Sequence, residues 1–599
     1  MKITASFKLR FGVKLFLSIS LYQFSISANA VGFNNKTVAG SWDTTLSYGQ
    51  LYRVQSRSAN LIGIANGGTA RSVNRDDGNL NYDPGLVSNA VKFTTEIDAS
   101  IKSTGIFVRG LGFLDNVADD TTRTQLGGKS ERLVSTNFFI RDAYLWHEFN
   151  VGKMPAEFRV GEQVLSWGES TFIQNSINTI NPVDVSALRT PGAELRDALI
   201  PVGMVFGSLG LTNNFSVEAY YQYDWEQTDI DPTGSYFSTT DFIGDDGNFV
   251  VGAGQGAVAD FSNCPGTCTP ISETGAVGNA RSATRAGNLE PGNGGEYGAA
   301  MRLYVPELNG TEFGFYFINY HSRLPIANAI IGAGGAAGNF TGTQYQLSYP
   351  DDIQLYGISF NTEIGSTGIA LQGEYSFRND APLQLDTTEL LAATVSPAGV
   401  TSQLGTFAVG DFVQGHIERN VSQFQMTATK LFGQILKADQ GVLVGEWAIT
   451  HIHNMPSKTT LLLASPGIAS SGNPANAGAL GHTLEELGNF ADSTSWGYRI
   501  AGRLDYNNAL FGAVNLQPRF SWRHDVSGIT PGPGGNFLAG RKDISIGVRA
   551  VYQNEWEADI SYTSFLGDSR QNLLHDRDFM AVSKACWKLA DVCAFARPG

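Results

Sequence analysis

The stretch FSVEAYYQYDW, residues 215–225, divides into two interleaved sets: Phe215, Val217, Ala219, Tyr221, Tyr223 and Trp225 on one phase, Ser216, Glu218, Tyr220, Gln222 and Asp224 on the other. Successive side chains of a strand point to opposite faces, so this is a strand with one apolar and one polar face. Two architectures satisfy it. In a soluble sandwich the apolar face meets a second sheet; in an outer-membrane barrel it meets lipid while the polar face lines a lumen.

The rest of the chain decides between them. Ile369, Leu371, Tyr375 and Phe377 oppose Gln372, Glu374, Ser376 and Arg378; Trp496, Tyr498, Ile500 and Leu504 oppose Arg499, Arg503 and Asp505. Val514, Leu516, Phe520 and Trp522 oppose Asn515, Gln517, Arg519 and Arg523, and Trp556, Ala558, Ile560 and Tyr562 oppose Glu557, Asp559, Ser561 and Thr563. Each segment has about ten residues, enough to cross a bilayer as a tilted strand. No apolar run of about eighteen residues follows the N-terminus, which excludes transmembrane helices.

Connections between these segments alternate strictly between short and long. Short ones fall at 102–104, 150–156, 210–214, 307–310, 365–367, 433–439, 507–512 and 553–555. Long ones fall at 53–89, 116–136, 166–199, 226–295, 322–352, 379–418, 454–494, 525–540 and 566–576. Short periplasmic turns facing long extracellular loops mark an all-β transmembrane antiparallel barrel of the outer-membrane type. Eight turns and nine loops join about 18 strands, within a range of 16–18, and leave both termini in the periplasm. Tyr221, Tyr223 and Trp225 then belong to an outer aromatic girdle, and Glu218, Gln222 and Asp224 face a water-filled lumen.

Residues 1–30 carry Lys2, Lys8, Arg10 and Lys14, an apolar run from Leu15 to Phe24, and Ala28-Asn29-Ala30. These are the parts of a secretory signal peptide cleaved after Ala30, which directs the chain out of the cytoplasm to the outer membrane of a Gram-negative cell. Loss of its four positive charges moves the formal net charge from −15 to about −19. So acidic a protein is no partner for nucleic acid. The barrel is expected over 31–583, and 584–599 form an atypical C-terminal segment. In an oxidising compartment Cys264 and Cys268, in NCPGTC, are a candidate loop disulfide, and no further ligands are spaced for zinc.

Lumen-phase charges have mixed signs, with Glu218 and Glu374 among the acids and Arg499, Arg503, Arg519 and Arg523 among the bases. Either the late-strand arginines set a transverse field across the pore, or the charges are ion pairs bracing the barrel; the second is preferred. The eight histidines supply no Ser-His-acid constellation, so no enzyme, cofactor or metal is expected. His451 and His453 share the outward phase of Leu443, Trp447 and Ile449, near the lipid headgroups.

The loops are more informative. Segments 323–340, 388–400 and 459–472 are small, apolar and nearly uncharged. Loops that met only water would be polar, so these are expected to fold into the mouth or to meet lipopolysaccharide or an apolar ligand, with a passive lid as the alternative. Loop 166–199 is rich in turn signals, with a helical turn expected at 193–198, and is the candidate constriction. Its candidate filter residues are Glu169, Asp184, Arg189, Glu194 and Arg196, joined on the wall by Glu218, Asp224, Glu374 and the four arginines.

GSWDTTLSYG (40–49), RVGEQVLSWGEST (159–171), INPVDVSALRTPGAELRDALIPVG (180–203) and YYQYDWEQTDIDPTGSYFSTTDFIGDDG (220–247) resemble the Gram-negative family known as domain of unknown function 1302. The resemblance covers essentially the whole mature chain. It implies an outer-membrane protein that works beside a periplasmic lipid-carrier-like protein and an inner-membrane exporter, in traffic of hydrophobic, lipid- or steroid-like compounds. No binding residue is established for the family. The chain departs from the pattern after HDRDF (575–579): in place of a short strand ending on an aromatic residue it runs KACWKLADVCAFARPG, so the final strand is expected to be irregular with a tail, or its reading frame altered near Ser583. The expected function is a channel for hydrophobic small molecules, with a general diffusion porin and a structural barrel that docks a periplasmic carrier as alternatives.

Overall fold

The structure, a computed structural model, describes residues 31–34, 37–193, 195–252, 256–258, 260, 281–334, 339–480, 482–553, 556–567 and 571–587. Eighteen antiparallel strands, from Ala39–Arg53 to Phe579–Trp587, form one sheet that closes on itself where the first strand pairs with the last, Arg53 opposite Phe579 and Thr45 opposite Trp587. A short strand, Val31–Asn34, adds to Ala39–Trp42 just beyond the end of that seam. Every short connection expected from the sequence joins neighbouring strands; at several of them Gly or Asn supplies left-handed backbone where the chain must reverse, as at Gly152, Asn309 and Gly512.

Alternation is obeyed around the wall. Tyr221, Tyr223 and Tyr297 are exposed on the outer face at the long-loop end, and Trp42, Tyr304 and Tyr552 at the short-turn end, which makes two aromatic girdles. Trp225 is not among them. The strand Phe215–Gln222 ends before it, and the chain turns over the mouth, where the indole is buried against Tyr349 at 5.0 Å. The last strand runs through Trp587, past the boundary at 583, and Lys584 lies on the outer face over the Trp556 ring at 4.8 Å. A lysine beside a ring at the short-turn end places its ammonium at the headgroup level. The signal segment, the Cys264–Cys268 pair and the tail from 588 onward lie outside the described residues.

Three long loops weave a second sheet over the extracellular end, in the order Phe412–Val413, Ile326–Ile330, Gln344–Ser348, Ser282–Arg285 and Phe249–Val251. The apolar segments named above supply its core. Ile326, Ala329, Leu390, Ala393, Leu462 and Leu463 are all buried. Gln384, at the top of the strand Ile369–Gln384, anchors this cap through its side chain to Ala327 N (2.7 Å) and O (3.0 Å) and Gly415 O (2.8 Å). Gly415 admits the close approach: a Cβ there would stand 1.7 Å from Ala327 O.

Candidate functional site: the filled lumen and its cap

The segment between the strands Met154–Gln163 and Val202–Thr212 folds into the barrel and touches walls on both sides. Its first half is held by two wall carboxylates. Glu446 accepts the backbone N–H groups of Thr171 (2.8 Å), Phe172 (2.7 Å) and Ile173 (2.7 Å). Glu374 accepts those of Glu169 and, at 3.2 Å, Ile177. Consecutive N–H groups converging on one carboxylate form a charge-assisted nest. Trp167, 2% exposed, donates its indole N–H to Glu218 at 2.7 Å and packs on Tyr220 and Tyr316. With Ile177, Ile180, Phe206 and Ile318 it builds an apolar core inside the barrel, worth about 2 kcal/mol for each large side chain buried.

The second half reaches the opposite wall. Asp184 caps the helix Val185–Arg189 by accepting from Ala187 N (2.8 Å) and pairs with Arg141 (2.8 Å), both side chains buried. Arg196 meets Glu96 at 2.7 Å and Asp197 meets Lys92 at 2.6 Å, both partners on the strand Gly85–Ile101. Gly49 on the first strand leaves the space that Pro191 fills: a Cβ there would lie 2.5 Å from Pro191 Cβ. The lumen-phase groups Glu218 and Gln222 are therefore met by protein, not by water. Glu218 takes Trp167 and Arg302 (3.1 Å), and Gln222 donates to Ile180 O (3.0 Å).

Eleven of the twelve candidate charges lie among the described residues, and ten of these separate into two groups. Glu169, bonded through its carboxylate to Asn361 (3.2 Å), Asp184, Arg189, Arg196, Glu218 and Glu374 belong to the inward segment or hold it; Arg189 pairs with Asp231 of the 223–295 loop at 3.0 Å. Arg499, Arg503, Arg519 and Arg523 line another wall and pair with Asp525 (2.8 Å), Asp505 (3.0 Å), Asp559 and Asp543. These pairs brace that wall and cancel its field. The side chains of Arg503, Arg519 and Arg549 remain 37–45% exposed, so this side of the lumen stays wet. Asp224 lies past the end of its strand and accepts only the next N–H, of Trp225, at 3.1 Å, so it belongs to the cap and not to the lumen wall. Glu194 lies outside the described residues.

Glu446 and Lys92 escape the sequence reading, although the alternation that marks Glu374 marks Glu446 equally: it sits on the polar phase between the outward Leu443 and Trp447. Lys92 lies on the polar phase of its strand in the same way, but nothing local says that its partner is a carboxylate 105 residues on.

The cap encloses a cavity of about 250 Å³ lined by Phe242, Val250, Ala329, Leu390, Leu391 and Ile468. Arg71, Arg75 and His482, with Asn, Ser and Thr side chains, supply its polar side. Arg71 makes no ion pair among the described residues, and His482 Nδ1 has no hydrogen-bond partner. Burial and the nearby Arg71 charge lower the imidazole's pKa and keep it neutral. A larger depression, about 930 Å³, lies on the outer face among the exposed side chains of Phe149, Met301, Phe315, Tyr356 and Ile358; it belongs to the lipid-facing surface.

Asp229 sits where the inward segment meets the cap: Val185 N donates to its carbonyl (2.8 Å) and its own N donates to Val183 O (3.0 Å). Burial, then repulsion from Asp184 and Asp245, lifts its carboxyl to about 7. Because the folded pKa exceeds the unfolded one, its contribution is complete below pH ~4 and is lost as pH rises through about 7. The shift corresponds to at most about 4 kcal/mol. Thermal unfolding midpoints should fall between pH 5 and pH 8, and Asp229→Asn should flatten part of that fall; identical profiles would remove the residue from the account.

A closed, porin-like outer-membrane barrel with an internal segment across its lumen and a woven extracellular cap is the class these features define. The chain belongs to the family described as protein of unknown function DUF1302, whose profile matches residues 12–585. Among solved structures it is similar to OccAB1 of Acinetobacter baumannii (TM-score 0.40, 10% identity, 94% of this chain and 98% of that one). It is also similar to a BenF-like porin of Pseudomonas fluorescens Pf-5 (0.39, 9%, 92% and 98%) and to OmpF of Salmonella typhi in complex with daunomycin (0.35, 9%, 93% and 100%). No curated protein matches the chain.

Proposed function

We propose that the protein is a gated outer-membrane channel that captures a hydrophobic small molecule in its cap and releases it through the barrel when the inward segment shifts. The observation that carries this reading is the mode of attachment. Five backbone N–H groups, three on Glu446 and two on Glu374, hold the first half of a segment whose second half is tied to the wall by the Arg141–Asp184, Glu96–Arg196 and Lys92–Asp197 pairs. Such bonds are released together when the segment moves, without unfolding the wall. The apolar cavity above supports an oily solute over a sugar or an inorganic ion.

Arg71 refines the class of solute to a hydrophobe with an acidic group, since a guanidinium with no ion pair among the described residues, beside apolar walls, recognises a carboxylate held in low dielectric. In competition against a fluorescent fatty-acid analogue, a long-chain or polycyclic carboxylic acid should bind about tenfold more tightly than its amide, and Arg71→Ala should erase the difference. Equal affinity of acid and amide for the unaltered protein would remove Arg71 from the site.

One feature favours a second reading, a general diffusion porin: the wet, arginine-lined side of the lumen, where Arg503, Arg519 and Arg549 remain accessible. Single-channel recording in simple salt separates the two. A large, steady conductance from the intact barrel would make it a porin; a closed or flickering barrel is what the gated reading requires.

A further inference from the structure

The extracellular loops hold a group of four aspartates that the channel reading does not use. Asp76 and Asp77 begin the short helix Asp77–Leu80 in the first long loop, while Asp241 and Asp260 come from the 223–295 loop, Asp241 lying 165 residues beyond Asp76. Each offers a carboxylate oxygen, and these oxygens all lie within 4.8 Å of one another. Local sequence gives no sign of this, because no two of the contributing segments share a motif.

The surroundings satisfy only part of the group. Asp76 Oδ2 accepts from Gly63 N (2.7 Å) and Asn66 Nδ2 (3.0 Å); Asp241 Oδ2 accepts from Asp76 N (2.9 Å). Asp260 Oδ1 accepts from Arg123 Nη2 (2.9 Å) and Asn66 Nδ2 (3.3 Å), and Arg123 Nε lies 3.9 Å from Asp77 Oδ1. Asp76 is fully buried, yet its Oδ1 has no hydrogen-bond partner among the described residues, and neither has Asp241 Oδ1. Buried carboxylate oxygens are seldom left so, since an unpaired buried acceptor costs about 1–3 kcal/mol, more when charged. Among the described residues Arg123 is the cation that pairs with these acids, with Arg577 near Asp241, so the four carboxylates outnumber the positive charges beside them in a buried site. Burial raises all four carboxyls, Asp76 to about 7, and repulsion from the neighbouring aspartates adds to it at Asp76, Asp77 and Asp241.

We propose that these four aspartates are a calcium site that clamps the first extracellular loop to the loop that builds the cap. The donors are all hard oxygens, which calcium takes in sets of six to eight at about 2.3–2.6 Å with tolerant geometry. Oxygens on opposite sides of one such ion stand up to about 5 Å apart, and the 4.8 Å span falls inside that limit. Magnesium, at about 2.0–2.1 Å with strict octahedral geometry and a reluctance to lose water, suits so wide an anionic pocket less well. Water supplies the remaining ligands. Sites on extracellular modules bind calcium with a Kd of about 0.1–1 mM, and that range is expected here. The ion stabilises the cap without touching the solute cavity, so the proposal stands apart from the transport reading.

The test uses the full barrel refolded in detergent without lipopolysaccharide, stripped with EDTA and titrated with calcium chloride by equilibrium dialysis. One ion per chain is expected, with magnesium at least about tenfold weaker. Limited proteolysis should show cleavage within 54–84 and 223–295 slowed by calcium. The variant Asp241→Asn/Asp260→Asn, its barrel verified by heat-modifiable migration on gels, should lose both effects. Absence of saturable binding to the wild-type chain up to about 10 mM calcium, far above the expected range, would overturn the proposal. So would stoichiometric binding retained by the double variant. If the variant fails to fold, calcium-dependent protection of the two loops in the wild type decides, and equal cleavage with and without calcium sinks the site.

Discussion

Glu374→Ala/Glu446→Ala converts a closed or flickering barrel into a steady pore, with conductance raised by about tenfold or more, the scale expected when an eighteen-stranded lumen is no longer filled. The two carboxylates accept five backbone N–H groups of the inward segment, and no other wall group in the first half of that segment carries as much of its attachment. Truncation leaves those donors inside the barrel without acceptors, at about 1–3 kcal/mol each, which exceeds what Trp167 and Ile177 recover by packing. Single-channel recording in a planar bilayer reads the outcome. Glu446→Gln keeps one acceptor oxygen and should give an intermediate, flickering state. A double variant as closed as the parent, with an intact barrel, would show that the segment is a fixed part of the wall and not a gate.

The second large effect is on stability. Arg53, at the extracellular end of the first strand, is fully buried with Asp576 of the loop that leads into the last strand, at 3.4 Å. Its guanidinium also donates to Gln55 O (2.9 Å), Asn79 O (3.2 Å), Asn79 Oδ1 (2.7 Å), Tyr82 O (2.8 Å) and Asp576 O (3.1 Å). Asp576 in turn accepts from Ser58 N (2.7 Å) and Asn79 Nδ2 (2.8 Å), and Arg577 donates to Ser238 O (2.8 Å). One buried cluster thus ties the barrel seam to two extracellular loops. Arg53→Ala removes one partner of a buried ion pair and should cost about 3–5 kcal/mol. Arg53→Lys should recover little, because an ammonium lacks the planar fork that reaches five acceptors. Denaturant unfolding followed by heat-modifiable migration measures both, and an Arg53→Ala barrel as stable as the parent would show that the seam holds without this cluster.

HDRDF (575–579) shows how far sequence carries such a site. It stands where a long loop leads into the last strand, and its charges mark it as polar. That Asp576 turns toward Arg53, Arg577 toward the backbone of the 223–295 loop and Asp578 toward Tyr562 and Ser564 depends on which loops lie over the seam. The apolar loops are the opposite case. Their composition tells that 323–340, 388–400 and 459–472 are not simply solvated loops, and Ile326, Ala329, Leu390, Ala393, Leu462 and Leu463 are buried, but the sheet that Ile326–Ile330 joins is assembled from three separate loops.

The barrel itself was written in the local pattern: strand positions, strand number, the eight turns and the outer aromatic belts follow from a period of two, a segment length of about ten residues and turn chemistry, each decided within a short window. What fills the barrel was decided by tertiary structure. Glu374 reads as a lumen acid awaiting water, and Glu446 shares its phase without being singled out, yet the two hold backbone donors 205 and 275 residues away in sequence. The lipid face is set by the solvent each residue meets, which its own side chain declares. The lumen is set by which loop folds inward, and that choice is made by backbone groups that look alike at every position along the chain.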